Sequence, residues 1–521
     1  MKRPRTQVFS VVRALTALIV CMLAAGQVVF AQEDLSGYWV LRVPNGDGTN
    51  RETYFELQQH GEVLAGTLFA RDPKGIPIQG TNSAGKVHLV TVPSASGTAT
   101  APPFARRPMV YDGEYHDGKL ELSFKSFRGD VSTGEAERTT REAAMPPAPL
   151  PLPALRDVPD NGLVRTPPMG WNSWNKFAGH ITDADVRAMA DAMVATGMDK
   201  LGYVYINIDD TWEGGRDANG NIVTNKKFRD MKSLADYVHS KGLKLGIYSS
   251  PGPKTCAGYT GSFGHEVQDA KVFAAWGIDY LKYDLCSARN IYPSNEETHR
   301  ALYQKMGEAL RATGRPIVFS LCQYGENDPW KWAATTGGNL WRTTGDIRDT
   351  WESMDRIGFS QLEIASYNRP GHWNDPDMLE IGNGGMNAEE YRTHMSLWSM
   401  LSAPLIAGND LRSMSDETKS ILMNREVIAV DQDAAASPVK QVGKQGDIQI
   451  LSRKLQDGSI VVGLFNRGSS VAPAKLEWAA VGVSHAPRAV RDLWNHDDLR
   501  IGTSYEGNVA AHGVVMLKLS Q

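Results

Sequence analysis

The sequence predicts a multidomain protein, in which a (β/α)8 TIM barrel follows a small all-β domain and precedes a C-terminal antiparallel β-sandwich. Three observations carry that reading. A chain of 521 residues exceeds what one compact domain usually holds. Over residues 163–435, apolar strand-like runs alternate with amphipathic helical segments, the pattern of βαβ units and a parallel sheet. On either side of that region, short alternating runs are separated by Gly, Asn and Asp turn signals.

Residues 1–31 read as a cleaved signal peptide. Lys2, Arg3, Arg5 and Arg13 precede an apolar core from Ala14 to Ala25, and Val29-Phe30-Ala31 offers the small residues a signal peptidase needs. The apolar run is short for an uncleaved bilayer anchor, and Val20 before Cys21 is bulkier than a lipoprotein site tolerates. The expected location is therefore secreted or periplasmic, with no membrane attachment after cleavage. Cleavage takes four positive charges and no acidic ones from a formal net charge of −4, leaving about −8. With 41% hydrophobic and 22% charged residues and no basic tract, the composition is that of a soluble globular protein and excludes nucleic acid as a partner.

Residues 33–143 form the small all-β domain, a barrel or a sandwich, with runs such as Gly37-Tyr38-Trp39-Val40-Leu41 and Lys119-Leu120-Glu121-Leu122-Ser123-Phe124. No cluster of catalytic residue types falls there. In residues 144–162, Pro146, Pro147, Pro149, Pro151, Pro153 and Pro159 predict an extended, stiff spacer at the domain boundary. From 163 to 435 the candidate strands end near Trp174, Asp209, Tyr248, Asp284, Cys322, Asp346, Asp377 and Ala407. Helical segments such as Asp183 to Thr196, Met231 to Lys241 and Asn295 to Thr313 lie between them. Eight such units fit a closed barrel better than an open doubly wound sheet, and no Gly-x-Gly-x-x-Gly turn favours a dinucleotide fold. Residues 436–521 return to β runs, among them Ser459-Ile460-Val461-Val462-Gly463-Leu464-Phe465, which predict the sandwich.

The chemistry sits at the strand ends. Asp284 closes Ile278-Asp279-Tyr280-Leu281-Lys282-Tyr283-Asp284, and Asp346 follows Asn339-Leu340-Trp341-Arg342-Thr343-Thr344-Gly345. A parallel barrel presents such residues to substrate, and a pair of carboxylates is what cleavage of a glycosidic bond requires, so the chain reads as a glycoside hydrolase. Asp209, Asp210, Trp212, Tyr248, Asp375 and Asp377 recur at neighbouring strand ends. Ionised carboxylates accept sugar hydroxyls and tryptophan faces cover the apolar side of a pyranose ring, which describes a monosaccharide-sized pocket. A single aspartate after a strand is more often a turn or capping residue; Asp209, Asp284 and Asp346 together on one barrel argue otherwise. Lys282 leaves the same face of its strand as Asp284 and is expected to favour the carboxylate's charged form, as a nucleophile needs. Asp346, with Arg342 upstream, would need burial or neighbouring negative charge to act as proton donor.

Competing chemistries fit less well. His265, His372 and His394 show no metal-ligand spacing, and no calcium loop is present, so no metal and no cofactor are expected. No Gly-x-Ser-x-Gly elbow supports a serine esterase. The exported chain would keep Cys256, Cys286 and Cys322, an odd count that predicts one bridge and one free thiol.

About half of the chain, from Pro168-Met169-Gly170-Trp171-Asn172-Ser173-Trp174 to Asn424-Arg425-Glu426-Val427-Ile428-Ala429-Val430-Asp431-Gln432-Asp433, resembles glycoside hydrolase family 27, the α-galactosidase and α-N-acetylgalactosaminidase group. The resemblance implies a retaining exo-glycosidase that releases terminal α-D-galactosyl residues from oligosaccharides or glycoconjugates. By matching segments it places the nucleophile on Asp284 and the acid/base on Asp346. It places sugar contacts on Trp174, Asp209, Asp210, Tyr248, Lys282, Arg342, Asp377 and Met378, and a disulfide between Cys256 and Cys286. Where many members carry Cys-Glu-Trp, this chain has Cys322-Gln323-Tyr324, so a carboxylate near the sugar's 2-position becomes the neutral amide of Gln323. That departure keeps open β-L-arabinopyranosides, α-N-acetylgalactosaminides and α-glucans as substrates of the same scaffold. A non-catalytic carbohydrate-binding protein is the alternative of a different class. Thr211 and Gly338 stand where some relatives carry further cysteines, which leaves Cys322 unpaired. The amino-terminal β domain lies outside the resemblance, and nothing in the sequence sets an oligomeric state.

Overall fold

The computed structural model describes residues 33–69, 75–92, 108–125, 131–483 and 485–521, so the expected signal peptide lies outside the described residues. The chain divides into two compact units: the first runs to Val43 and resumes from Glu52 to Pro146, and the second holds Pro44–Arg51 and Pro147–Gln521. Among the described residues no helix is long and apolar enough to cross a membrane.

The first unit is a closed barrel of β1 (Gly37–Pro44), β2 (Asn50–His60), β3 (Val63–Phe69), β4 (Ile76–Ser83), β5 (Lys86–Thr91), β6 (Val110–His116), β7 (Lys119–Lys125) and β8 (Val131–Thr139), neighbours in sequence order. β1 closes the ring by pairing antiparallel with β8 from Tyr38 opposite Thr139 to Arg42 opposite Glu135. Of the two all-β forms left open by the sequence, closure selects the barrel. Alternate residues point inward, and Trp39, Leu41, Phe55, Leu57, Leu64, Leu89 and Leu122 fill the interior.

In the second unit, eight parallel strands form one sheet: β9 (Met169–Asn172), β10 (Tyr203–Asn207), β13 (Lys244–Ser249), β14 (Tyr280–Asp284), β15 (Val318–Cys322), β16 (Leu340–Arg342), β17 (Trp373–Asp375) and β18 (Leu405–Ala407). A short hairpin of β11 (Glu213–Arg216) and β12 (Ile222–Thr224) follows β10. β18 pairs with β9, and the bridge between Leu379 and Ala407 joins the other side of β18 to the chain leaving β17. Intervening helices begin where the sequence supplies caps: the side chains of Thr182, Asp230, Asn295, Thr350 and Asn387 each accept a backbone N–H of the first turn. Gly197 and Gly277, in the left-handed region, end two of them.

Strand alternation sorts the barrel residues. Ile206, Leu245, Ile247, Leu281, Tyr283, Phe319, Leu321 and Trp341 join the apolar faces of the helices. Tyr205, Tyr280, Val318, Leu340 and Trp373 cluster on the other side, inside the barrel. Two residues further along the same inward rows the character changes to polar, with Asn207, Lys282, Ser320, Arg342 and Asp375. Apolar contacts close the floor of the barrel, and the carboxyl ends of the strands carry the chemistry.

The Pro-rich stretch has no helix or strand but does not stand free as a spacer. Leu150 N–H donates to Tyr292 Oη at 3.0 Å, Arg156 N–H to Gln304 Oε1 at 3.0 Å, and Asn161 Nδ2 to Asn339 Oδ1 at 2.9 Å. Proline leaves few backbone donors to satisfy, so a handful of such bonds is enough to hold the segment against the barrel.

The carboxy-terminal region holds β19 (Lys440–Gln445), β20 (Ile448–Lys454), β21 (Ile460–Asn466), β22 (Ala472–Glu477), β23 (Ala489–Asp492), β24 (Asp497–Leu499), β25 (Ser504–Val509) and β26 (Val514–Ser520). β19, β20, β21, β26, β23 and β24 make a six-stranded sheet, and β22 pairs with β25 in a second. Ile450, Val462, Leu464, Leu476, Trp478 and Leu517 pack between the sheets. On the other face, Leu451, Val461, Phe465 and Met516 join the barrel core, where Phe465 meets Phe359 edge-on at 5.6 Å.

Candidate active site

β14 places Lys282 and Asp284 on one inward row. Asp284 is buried, its side chain faces the barrel mouth, and its register partner on β15 is Cys322. Oδ2 of Asp284 accepts from Tyr324 Oη at 3.0 Å, while Oδ1 is buried with no partner in the protein. Burial raises the Asp284 pKa; Lys282 and the Tyr324 hydroxyl oppose it, and the charges of Asp346 and Asp209 add to it. Lys282 acts in the expected direction, favouring the charged form, but burial outweighs it. Its ammonium donates to Asp209 Oδ2 at 2.8 Å and influences Asp284 only through space.

Asp346 does not end a strand. β16 stops at Arg342; Thr343 N–H still makes a ladder bond to Asp375 O of β17 at 3.0 Å, and the chain leaves the sheet after it. Asp346 then stands at the rim with its side chain 73% exposed, held by Arg342 Nη2 at 3.2 Å. Burial, one of the two conditions sought for a proton donor, is absent at this residue. Arg342, itself buried, also reaches Asp377 Oδ2 at 2.8 Å, so one guanidinium ties the barrel mouth at two carboxylates.

Asp209 and Asp210 lie just past β10. Asp209 Oδ2 takes Lys282 and, at 2.9 Å, Asn172 Nδ2. Asp210 Oδ1 accepts from Thr211 N–H at 2.7 Å and Oδ2 from Ala257 N–H at 2.7 Å, which joins the β10 end to the loop after β13. Burial, with the Asp209 charge beside it, pushes the Asp210 pKa up to about 7. Tyr248 ends near the disulfide, with Oη 3.1 Å from Cys286 Sγ and Lys282 Nζ 5.4 Å from its ring centre. Cys256 and Cys286 are bridged and Cys322 is a buried free thiol. Cys256, Asp284 and Cys286 are the one close group of ligating residue types among the described residues, and its two sulfurs are bonded to each other.

The remaining expected contacts follow the carboxyl ends of other strands of the same sheet. Trp174 opens the short helix Trp174–Phe177 just past β9, its N–H bonded to Asn172 Oδ1 at 2.8 Å. Asp377 and Met378 follow β17, where Asp377 Oδ2 accepts from Ile347 N–H at 3.0 Å and Oδ1 from Met378 N–H at 2.8 Å. Burial raises the pKa of Asp377, opposed by Arg342. Gln323 is wholly buried, and neither its amide oxygen nor its amide nitrogen has a partner in the protein. An unsatisfied buried amide is costly, and at a barrel mouth it is the kind of group that a sugar hydroxyl would satisfy.

Two residues were missed by sequence reasoning. Glu213 is buried against Thr211 N–H at 3.1 Å, its pKa driven well up by burial and by Asp210. Tyr324, the donor to Asp284, lies two residues past the strand partner of Asp284, a register that only the assembled sheet reveals. Four non-glycine residues at the mouth have φ in the left-handed region: Thr211 at +86°, Cys286 at +30°, Tyr324 at +61° and Asp377 at +92°. Backbone strain of this kind costs about 1–3 kcal/mol per residue and persists where surrounding structure enforces a functional geometry.

Residues 166–433 match the family model described as alpha galactosidase A, and residues 445–519 match the alpha galactosidase C-terminal beta sandwich domain. The chain is 51% identical over 346 residues to an alpha-galactosidase of Cyamopsis tetragonoloba, across 66% of this chain and 82% of that protein. In fold it is similar to alpha-galactosidase I from Mortierella vinacea, with a TM-score of 0.67, 39% identity, and coverage of 69% of this chain and 98% of the other. It is similar as well to the alpha-galactosidase from Saccharomyces cerevisiae with raffinose, at a TM-score of 0.64 and 28% identity over 70% of this chain and 99% of that one.

Proposed function

This chain belongs to the alpha galactosidase A family of glycoside hydrolases, and from that premise we propose that it cleaves terminal α-galactosyl residues with retention of configuration. The observation that carries the mechanism is the asymmetry of two carboxylates at one barrel mouth. Asp284 is buried with one bare oxygen, whereas Asp346 is open to solvent and steered by a guanidinium. Asp284 forms the bond to the anomeric carbon as the glycosidic bond breaks, and Asp346 gives its proton to the departing oxygen. Asp346 then takes a proton from water, which attacks the same carbon and releases galactose from Asp284.

The sugar is held by Asp209 and Lys282, by Asp210, Trp174, Tyr248, Arg342, Asp377 and Met378, and by Gln323 at its 2-position. Raffinose, bound by the yeast relative, exemplifies the oligosaccharide class that fits such a pocket. Gln323 favours one second reading, activity on a galactose-like sugar altered at that position, because an amide both donates and accepts where a carboxylate only accepts. The basic and apolar leader over residues 1–31 and the Cys256–Cys286 bridge support an exported enzyme. Amino-terminal sequencing of the exported protein checks that location.

The test is the anomer first released from an aryl α-galactoside, followed by NMR. Retention gives the α-anomer before mutarotation, and the β-anomer first would overturn the two-step route. A panel of aryl α-galactoside, α-N-acetylgalactosaminide, β-L-arabinopyranoside and α-glucoside, compared by kcat/KM, separates the sugar readings.

A further inference from the structure

Tyr324 lies outside the set of residues assigned so far to sugar binding or proton transfer. We infer that it is a positioning residue for the nucleophile: its hydroxyl clamps Oδ2 of Asp284, leaving Oδ1 to attack, and the same bond assists release of that carboxylate from the covalent intermediate. The inference rests on Asp284 being the nucleophile.

Geometry fixes which way the proton points. Tyr324 Oη lies 3.0 Å from Asp284 Oδ2 and 3.5 Å from Cys256 Sγ. The disulfide sulfur of Cys256 is only a weak acceptor and lies farther off, whereas the carboxylate oxygen is nearer and charged, so the phenol proton is directed at Asp284. Burial and the Asp284 charge push the Tyr324 pKa far up, so the hydroxyl remains a donor. The other oxygen, Oδ1, is buried and without a partner in the protein, which makes the two oxygens of one carboxylate chemically unequal.

The loop enforces this placement. Tyr324 has φ of +61°, and at Gly325, with φ of +81°, a Cβ would fall 2.1 Å from Thr343 O, so only glycine fits beside it. The Arg289 guanidinium lies 4.7 Å and that of Arg342 5.9 Å from the ring centre, and Arg289 is anchored to Glu326 at 3.0 Å.

The consequence is a split between the two chemical steps. As Oδ1 bonds to the anomeric carbon and the leaving oxygen takes the Asp346 proton, Oδ2 changes from a carboxylate oxygen to an ester carbonyl. A phenol bonds a carboxylate more strongly than a neutral carbonyl, so its hydrogen bond weakens in the first step and strengthens in the second. In the second step, water bonds to the carbon, its proton passes to Asp346, and the C–Oδ1 electrons return to Asp284. Tyr324 therefore speeds breakdown of the intermediate. It also lowers the Asp284 pKa within a field set by Lys282, Asp346 and Asp209, and shared by Tyr248, Cys322 and Tyr303.

The experiment compares wild type, Tyr324→Phe and Asp284→Ala on an aryl α-galactoside with a strongly acidic leaving phenol. For Tyr324→Phe, kcat falls roughly tenfold while kcat/KM changes less than about threefold, so KM falls with kcat. A pre-steady-state burst of phenol appears, and the acid limb of kcat/KM moves to higher pH. Phenylalanine keeps the ring under both guanidiniums, and a melting curve checks the fold; in a less stable variant the pH limb is still read from the molecules that remain folded. An unchanged kcat without a burst, or kcat and kcat/KM falling together with an unmoved limb, overturns the inference while Asp284→Ala stays inactive. Turnover by Asp284→Ala would instead sink the assignment of the nucleophile beneath it.

Discussion

Lys282 Nζ stands 2.8 Å from Asp209 Oδ2, an ion pair in which the lysine side chain is 16% exposed and the aspartate 3%. The pair spans β14 and the end of β10, strands separated in the barrel by β13. It fixes Asp209, proposed above as a sugar contact, on one side and shapes the field at Asp284 on the other.

Breaking that pair from one side leaves a buried charge alone. Lys282→Met is expected to destabilise the fold by about 3–5 kcal/mol, read as a lower urea midpoint. Lys282→Met combined with Asp209→Asn should recover much of that loss while kcat/KM stays low, because the sugar contact is gone in both.

Asp284→Ala removes the atom proposed to bond the sugar. Its kcat on an aryl α-galactoside should fall at least about 10⁴-fold with the fold unchanged by circular dichroism.

Asp210 sets part of the pH dependence of stability. Its pKa is near 3.8 as an ordinary carboxyl and about 7 in the fold, so between those values the folded state binds more protons than the unfolded one. Stability contributed by this group is therefore full below about pH 4, declines as pH rises, and is lost above about 7. Urea midpoints measured from pH 4 to 8 should fall less steeply in Asp210→Asn than in wild type.

The disulfide closes a segment of 30 residues and carries Ala257, the donor to Asp210, beside it. Cys256→Ser with Cys286→Ser should cost about 2–4 kcal/mol by freeing the unfolded chain. KM should rise as well, since the loop that meets Asp210 loses its brace. Thermal melting and Michaelis kinetics check the two effects separately.

Gln323 keeps an amide buried without a partner in the protein. Gln323→Leu should stabilise the unliganded enzyme by about 1–3 kcal/mol and weaken substrate binding, a trade visible as a higher melting temperature with a higher KM.

The sequence by itself determined the alternation of strand and helix, because period-2 and period-3.6 patterns are local and the capping residues Thr182, Asp230, Asn295 and Asn387 sit beside the helices they start. It also brought Asp284, Lys282 and Arg342 to strand ends, since a barrel strand carries its chemistry at a fixed end. Tertiary structure alone decided which charges meet. Lys282 shares a strand with Asp284 yet pairs with Asp209, 73 positions away, because the side chain crosses the barrel mouth to the carboxylate within its reach. Asp346 stands off its strand, four residues beyond the last ladder pair of Arg342 with Asp375, and Tyr324 met Asp284 through register between β14 and β15. Burial and long-range hydrogen bonding are properties of the assembled barrel, and they set the pKa of Asp210 and the inequality of the two Asp284 oxygens, which no local pattern encodes.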